Sequence, residues 1–371
     1  MILAARHLSF LYTPFMWFNL LLIFVPVAFF LEFTHASGTL VFIASALAIL
    51  PLAGIMGRAT EELAVKAGST VGGLLNATFG NATELIIAFF ALRAGKIEVV
   101  TASIIGSILG NLLLVLGLAV LLGGLRHKVQ KFNVQSAGTV ASLLTISVVA
   151  LLVPAVFDIS ARAVAGPQAT TALDVRFSDA AAVVLILLYV AYIIFTLVTH
   201  RELLSNADEH EEHAAKWSVP LALGVLAGST VVVGFMSELL VGGLDAASAS
   251  LGLSQLFVGL IVIPIIGNAA EHAAAVTFAL RNKMDLAMTI ALGSTVQVAL
   301  LVAPLLVLMG LLLGQPMDLV VSPLELVAVV AAVLITNSVV RDGETNWLEG
   351  VLLLGVYALL GLAVFFFPVA A

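Results

Sequence analysis

Long apolar stretches, separated by short polar or Gly/Pro-rich segments, run along almost the whole chain. Each stretch is long enough to cross a hydrocarbon core of about 30 Å as a helix. Most of them hold too few polar residues to be surface helices, so spanning helices are expected. The pattern predicts an all-α multi-pass membrane protein with about eleven transmembrane helices. The predicted spans are 14–33, 38–57, 68–92, 97–123, 133–157, 178–199, 218–243, 253–280, 285–313, 322–340 and 345–368.

Composition agrees with this pattern and excludes several classes of function. Of the 371 residues, 62% are hydrophobic and only 10% are charged, whereas about a quarter of the residues in a soluble domain are charged. The first apolar run lacks a small-residue cleavage site, so we expect it to be retained as a helix. The chain has no cysteine, which excludes disulfides and thiolate metal sites. The net charge of −7 and the absence of a basic stripe argue against nucleic-acid binding.

The distribution of lysine and arginine predicts the orientation of the helices. With the N-terminus in the cytoplasm, eleven basic residues fall on the inner side and four on the outer side, as the positive-inside rule expects. The inner ones are Arg6, Arg58, Lys66, Arg126, Lys128, Lys131, Arg201, Lys216, Arg281, Lys283 and Arg341. The outer ones are Arg93, Lys96, Arg162 and Arg176. This orientation places the C-terminus outside.

One strongly polar segment, residues 200–217, divides the chain into two sets of five predicted helices. We expect an N-terminal helix in 1–36, a first repeat in 37–199, an acidic cytoplasmic linker in 200–217 and a second repeat in 218–371. Because five is odd, the two repeats must enter the membrane from opposite sides.

The two halves resemble each other in sequence. The segment Gly80–Glu84 (GNATE) matches Gly267–Glu271 (GNAAE) 187 positions later, and the same offset brings Gly106-Ser107 onto Gly293-Ser294. Upstream, the dipeptide Glu-Leu at 62–63 corresponds to that at 238–239. Homologous halves in opposite orientations form the inverted repeat that is typical of secondary transporters, whose substrate sites lie near the bilayer midplane.

The repeated motifs contain the strongest candidates for an ion site. Glu84 and Glu271 are predicted to lie well inside their helices, and intramembrane acids commonly mark ion paths or proton relays. Asn81 and Asn268 each precede an acid by three residues, which puts each pair on one helical face. Carboxylate and amide oxygens are hard ligands that suit Ca²⁺. The four side chains therefore predict a metal site in which both acids also bind protons.

Calcium takes about six to eight oxygens, so further ligands are expected. Pro264 would free a backbone carbonyl, and Gly80 and Gly267 could loosen their helices and expose carbonyls of their own. Three further side chains could add polar contacts or simply bridge helices: Ser107, Ser294 and Gln297.

For several other polar residues, the sequence allows either a role in transport or a purely structural role. Glu62 and Glu238 could collect cations at the two entrances or be solvated helix ends, and His272 could handle protons or only pack. The run His210–His213 (HEEH) does not have the HExxH spacing of a metalloprotease. It is expected to be part of a solvated linker, with regulatory cation binding as the alternative.

The paired GNATE and GNAAEH motifs, the acidic linker, Gly293–Gln297 (GSTVQ) and Asp342–Gly350 (DGETNWLEG) resemble the calcium/cation antiporter superfamily, and specifically its calcium/proton exchangers. The resemblance implies eleven helices, a site between helices three, four, eight and nine, and counter-transport of Ca²⁺ and H⁺. It implies that Glu84 and Glu271 take Ca²⁺ or protons in turn. No proline precedes either acid, unlike in the sodium-driven branch, which favours protons as the driving ion.

The expected function is therefore alternating-access exchange of Ca²⁺ for H⁺, with Ca²⁺ as substrate, no organic cofactor and no enzymatic activity. The short N-terminus suggests a prokaryotic plasma membrane. A sodium-driven or Mn²⁺-transporting exchanger remains open, as does a cation channel, although channels place acids in rings around an oligomeric axis. Stoichiometry and oligomeric state are not predicted.

Overall fold

The computed structural model describes residues 16–200 and 215–367. Helix α1 consists of Met16–Asn19, a 3₁₀ turn at Leu20–Ile23 and Phe24–Phe33. The rest of the first half comprises α2 (Gly38–Ala67), α3 (Ser69–Phe79), α4 (Ala82–Arg93), α5 (Ile97–His127), strand β1 (Val129–Lys131), α6 (Val134–Ala165) and α7 (Pro167–Ile194, continued as a π-helix at Phe195–Thr199).

The second half has the same order of helices, but its strand comes one helix later. It comprises α8 (Val219–Leu251), α9 (Gln255–Gly267), α10 (Ala269–Leu280), α11 (Met284–Leu313), α12 (Pro323–Val340), strand β2 (Glu344–Asn346) and α13 (Trp347–Phe365). Helices α5, α9 and α11 each contain a π-helical segment, at Gly110–Val115, Val258–Val262 and Val298–Val302.

Within the described residues, eight helices are long and apolar enough to cross a membrane. The number reaches ten if α3 with α4, and α9 with α10, each form one bent span. The protein is therefore a helical multi-pass membrane protein. The first predicted span, 14–33, begins outside the described residues, and its apolar part, Leu20–Phe33, is shorter than these spans.

The observed helices extend beyond several predicted boundaries. Helix α2 continues to Ala67 rather than ending at 57, α7 begins at Pro167 rather than 178, and α8 continues to Leu251 rather than 243. The sequence-based boundaries followed the apolar residues, but a helix keeps its backbone hydrogen bonds past the last apolar residue. Polar residues such as Glu61 and Glu62 therefore still lie in a helix.

The all-α expectation is wrong in one detail. Strands β1 and β2 pair antiparallel, with Gln130 opposite Thr345. They join the connection between α5 and α6 to the one between α12 and α13. Two three-residue strands leave almost no periodic signal in the sequence, and their pairing depends on contacts between distant segments.

The centre of the molecule is formed by α5, the most buried of the spanning helices, together with α11. Helices α2 and α8 pack along each other over much of their length. Their contact is close at Gly38 and Gly243, where a Cβ on Gly243 would lie 2.4 Å from the Gly38 carbonyl oxygen. This packing brings the two halves together around the repeated motifs.

Candidate functional site

Two helix breaks mark the centre of the site. Helices α3 and α4 meet at an angle of 40°, and α9 and α10 meet at 60°. The breaks occur at Asn81 (φ −93°, ψ 16°) and Asn268 (φ −98°, ψ 13°). These two residues are 187 positions apart, so the sequence repeat is also a repeat of backbone conformation.

The breaks place both acids in the first turns of new helices. Glu84 lies in the first turn of α4, and Glu271 lies in the first turn of α10. The prediction that they lie well inside their helices, away from either end, is therefore wrong, because the chain breaks at the asparagine three residues earlier. A helix N-terminus presents unpaired N–H groups and the positive end of the helix dipole, both of which favour a carboxylate.

Glu84 belongs to a cluster of hydrogen-bonded side chains between the halves. The hydroxyl of Ser107, on α5, donates to Glu84 Oε1. Asn268 Nδ2 donates to Ser107 Oγ over 3.2 Å and to the Pro264 carbonyl oxygen over 3.2 Å. The Pro264 carbonyl also accepts the backbone N–H of Asn268 at 3.0 Å. The Pro264 carbonyl oxygen therefore accepts two hydrogen bonds from Asn268, the residue at the helix break.

A second cluster surrounds Asn81 in the same way. Asn81 Nδ2 donates to Gln297 Oε1 over 2.6 Å, and Ser294 Oγ donates to Asn81 Oδ1 over 2.9 Å. Ser294 also lies beside the Glu271 carboxylate. The amide of Asn111, in the π-helical segment of α5, donates to Ser294 Oγ over 3.1 Å.

In both clusters, the asparagine of one repeat contacts side chains of the other repeat. Asn268 lies beside the carboxylate of Glu84, the acid of the other motif. Asn81 bonds to Ser294, which lies beside Glu271. The sequence pattern predicted that each asparagine would share a helical face with the acid of its own motif. Because each asparagine forms the helix break, its side chain instead bonds across the interface.

Asn111 is a site residue that the sequence analysis missed. It is 1% exposed and lies four residues after Ser107 on the same helix. Gln297 lies three residues after Ser294 in the corresponding helix. The sequence does show a polar side chain about one turn after each Gly-Ser pair. Asn111 was nevertheless missed, because the position 187 residues later is not polar.

Several buried oxygens of the site have no hydrogen-bond partner among the described residues. They are Glu84 Oε2, Glu271 Oε2 and Asn111 Oδ1. The charge of Glu271 is close enough to act on Glu84. Buried polar groups are normally paired, so these unpaired carboxylate oxygens are free to accept a cation or a proton. No group of three or more His, Asp or Glu side chains that could hold a metal occurs in the described segments. Calcium here would need amide, hydroxyl or carbonyl oxygens besides the two acids.

The glycines of the motifs pack against the acids of the opposite repeat. A Cβ on Gly267 would lie 3.4 Å from Glu84 Cα, and one on Gly80 would lie 3.8 Å from Glu271 Oε1. Both distances are ordinary van der Waals contacts, so each glycine lies directly against the acid of the opposite repeat. The role of their carbonyls as ligands stays a prediction.

The remaining candidate residues lie away from the two clusters. Glu62 Oε2 accepts the backbone N–H groups of Lys216 and Trp217 at 2.7 and 2.9 Å, so it fixes the segment that leads into α8. Glu238 forms an ion pair with Arg93 at 3.7 Å and, with Glu32, lines a cavity of about 470 Å³.

His272 is half-buried, and within the described chain its ring has no hydrogen bond. The run His210–His213 lies outside the described residues.

Comparison with known proteins shows which family the chain resembles. The family described as sodium/calcium exchanger protein matches residues 37–198 and 221–366. A Ca(2+)/H(+) antiporter of Aphanothece halophytica is 47% identical over 94% of this chain and 96% of its own length. A Ca(2+)/H(+) antiporter of Synechocystis sp. is 50% identical over 95% of this chain and 97% of its own.

A solved structure, native YfkE, has a similar fold. It is 39% identical to this chain, with a TM-score of 0.81, and the match covers 94% of this chain and 99% of YfkE. The family match over 37–198 and 221–366 contains both helix breaks and all the residues of the two clusters.

Proposed function

Because the chain belongs to the sodium/calcium exchanger protein family, and within it to the calcium/proton exchangers, we propose that it exchanges Ca²⁺ for H⁺ across a membrane. Glu84 and Glu271 bind Ca²⁺ or protons in turn. The observation that carries this proposal is the pair of helix breaks at Asn81 and Asn268. Each break is followed by an acid, Glu84 buried and Glu271 half-buried, and each acid has a buried carboxylate oxygen that no described residue pairs.

The two acids explain why transport of one ion requires the other. Two ionised carboxylates close together in a dry site are costly, because each loses its hydration and repels the other. Ca²⁺ neutralises both, and so do two protons. If the protein changes between inward- and outward-facing forms only when the site is neutral, exchange is obligatory.

The neighbouring side chains have supporting roles in this proposal. The amide oxygens of Asn81 and Asn268 contribute to the calcium ligands, and the hydroxyls of Ser107 and Ser294 orient the acids. Gln297 and Asn111 hold Asn81 and Ser294 in place. Glu238, at the mouth of its cavity with Glu32, attracts cations to one entrance.

The inverted repeats supply the conformational change. The first repeat, 37–199, and the second, 218–371, contribute one break and one acid each, and the clusters lie between them. Rocking of one repeat against the other would open the site to each side alternately. The linker 200–217 and the N-terminus lie in the cytoplasm, and the membrane is a prokaryotic plasma membrane.

The experiment that tests this function is Ca²⁺ uptake by proteoliposomes under an imposed pH gradient, with and without Na⁺. We expect uptake that depends on the pH gradient and is unchanged by Na⁺. Uptake that follows a Na⁺ gradient instead would identify a sodium-driven exchanger. Uptake that follows the Ca²⁺ gradient alone, without proton movement, would identify a channel and contradict the proposal.

A further inference from the structure

The last residue of α5 and the connection from α5 to α6, residues 127–133, reach across the interface to the other repeat. We call this segment the strap. It contains β1, whose middle residue, Gln130, is the buried one of the three and is 0% exposed.

The side chain of Gln130 bonds to the turn between the two helices that carry half of the site. Its Nε2 donates to the Ala279 carbonyl oxygen over 2.7 Å and to Asn282 Oδ1 over 3.2 Å. Ala279 lies in the last turn of α10, whose first turn carries Glu271. The Ala279 carbonyl oxygen also accepts the backbone N–H of Asn282 at 2.9 Å, so the glutamine amide adds a side-chain donor to an oxygen that already closes this turn. Asn282, with φ 59°, turns the chain from α10 into α11.

Two further contacts of the strap lie on either side of Gln130. The ring of His127 reaches the Leu280 carbonyl oxygen through Nε2 at 3.0 Å. The backbone N–H of Asn133 donates to Asp285 Oδ1 over 2.6 Å. The strap thus holds the end of α10, the turn and the start of α11 at three points.

The backbone and the side chain of Gln130 are both held in place by their neighbours. Pairing of β1 with β2 fixes the register of the strap, and Phe132 N donates to the Gly343 carbonyl oxygen over 3.0 Å. A Cβ on Gly123 would lie 1.9 Å from Gln130 Oε1. The glutamine therefore fits beside this helix because position 123 is a glycine.

A related contact occurs on the other repeat. Gly95, with φ 74°, turns α4 into α5 and lies 187 positions before Asn282. A Cβ on Gly95 would lie 3.7 Å from Oε1 of Gln315, which follows α11. The segment that follows α5 thus reaches the turn between α10 and α11, and the segment that follows α11 reaches the turn between α4 and α5.

We infer that Gln130 is a positioning residue for the exchange site, an inference that depends on the proposed function. Glu271 lies on α10, and Ser294 and Gln297 lie on α11. These side chains form one cation site only while the two helices keep a fixed register. Gln130 fixes that register at the turn, where both helices meet.

The test compares three variants in proteoliposomes. Gln130→Met keeps the length of the side chain and removes its donor. Asn282→Gly suits the left-handed backbone and removes the acceptor. Gln135→Met is the matched control, because Gln135 is exposed near the start of α6. Initial rates of pH-driven Ca²⁺ uptake are measured against Ca²⁺ concentration, with elution profile and thermal midpoint as checks on folding.

We expect Gln130→Met to raise the apparent KM for Ca²⁺ about three- to tenfold, the range for one or two hydrogen bonds, with the maximal rate within about twofold. Asn282→Gly should raise KM less, and Gln135→Met should leave it unchanged. An unchanged KM in Gln130→Met, or a loss of maximal rate that only follows the loss of folded protein, would overturn the inference. If Gln130→Met does not fold, an unchanged KM in Asn282→Gly overturns it. Absence of pH-driven uptake by the wild type would instead contradict the exchange function.

Discussion

At the scale of single residues, the sequence predicted most of the site but not its connections. The offset of 187 identified both acids and both asparagines, because a repeated polar motif inside an apolar helix stands out. It could not show that Asn268 would lie beside Glu84, since that contact depends on how the halves pack. Asn111 was missed for the same reason, because its only described polar partner, Ser294, is 183 positions away.

The serine beside Glu84 offers a residue-scale prediction with a control on the same helix. Ser107→Ala removes the hydroxyl that donates to Glu84 and accepts from Asn268. We expect the apparent KM for Ca²⁺ to rise about three- to tenfold, as for the loss of one or two hydrogen bonds. Ser103→Ala, one turn earlier, removes only a bond to the Val100 carbonyl and should leave KM unchanged. Equal KM values for the two variants, measured by pH-driven uptake, would contradict the role of Ser107.

At the scale of helices and strands, the sequence predicted which segments are helical better than it predicted where the helices break. Ten of the eleven predicted spans correspond to helices or bent helix pairs that are long and apolar enough to cross a membrane, and the first corresponds to the shorter α1. The breaks were expected only as a loosening at Gly80 and Gly267, whereas the backbone bends at the asparagines that follow. The π-helical segments and the β1–β2 pair were not predicted, since neither has a distinctive pattern in a single apolar sequence.

The packing of α5 against α9 provides an element-scale prediction. A Cβ on Gly106 would lie 2.2 Å from the Leu260 carbonyl oxygen, whereas its repeat counterpart, Gly293, has open space around the same position. Overpacking a close helix contact typically costs about 1–3 kcal/mol. Gly106→Ala should therefore lower the thermal midpoint in detergent clearly more than Gly293→Ala. Equal midpoints for the two variants would show that α5 and α9 do not approach as closely as described.

At the scale of the whole molecule, the sequence predicted two inverted halves from an odd number of helices and the lysine and arginine distribution. The broken helices and paired clusters agree with a repeat, but the orientation in the membrane stays a prediction.

Reporter fusions test that orientation. A reporter that is active only in the cytoplasm should give a signal when inserted in the linker 200–217 and none when fused to Ala371. A reporter active only outside should give the reverse, which controls for poor expression. The same compartment at both positions would contradict an odd number of spans in the second half.

The central claim is that two carboxylates, one from each half, are both required for exchange. Glu84→Gln and Glu271→Gln keep the size of the side chain and one oxygen but remove the charge and the titrating group. With one carboxylate left, Ca²⁺ would leave an uncompensated positive charge in a low-dielectric site, and one exchangeable proton would be lost. Glu98→Gln is the matched control, because Glu98 is an exposed acid in the first turn of α5.

The most direct measurement is pH-driven ⁴⁵Ca²⁺ uptake by proteoliposomes at saturating Ca²⁺, with equal amounts of folded wild type and the three variants. We predict that Glu84→Gln and Glu271→Gln each reduce uptake to the level of empty liposomes, while Glu98→Gln stays close to wild type. A wild-type maximal rate in either Glu84→Gln or Glu271→Gln would contradict the two-carboxylate mechanism.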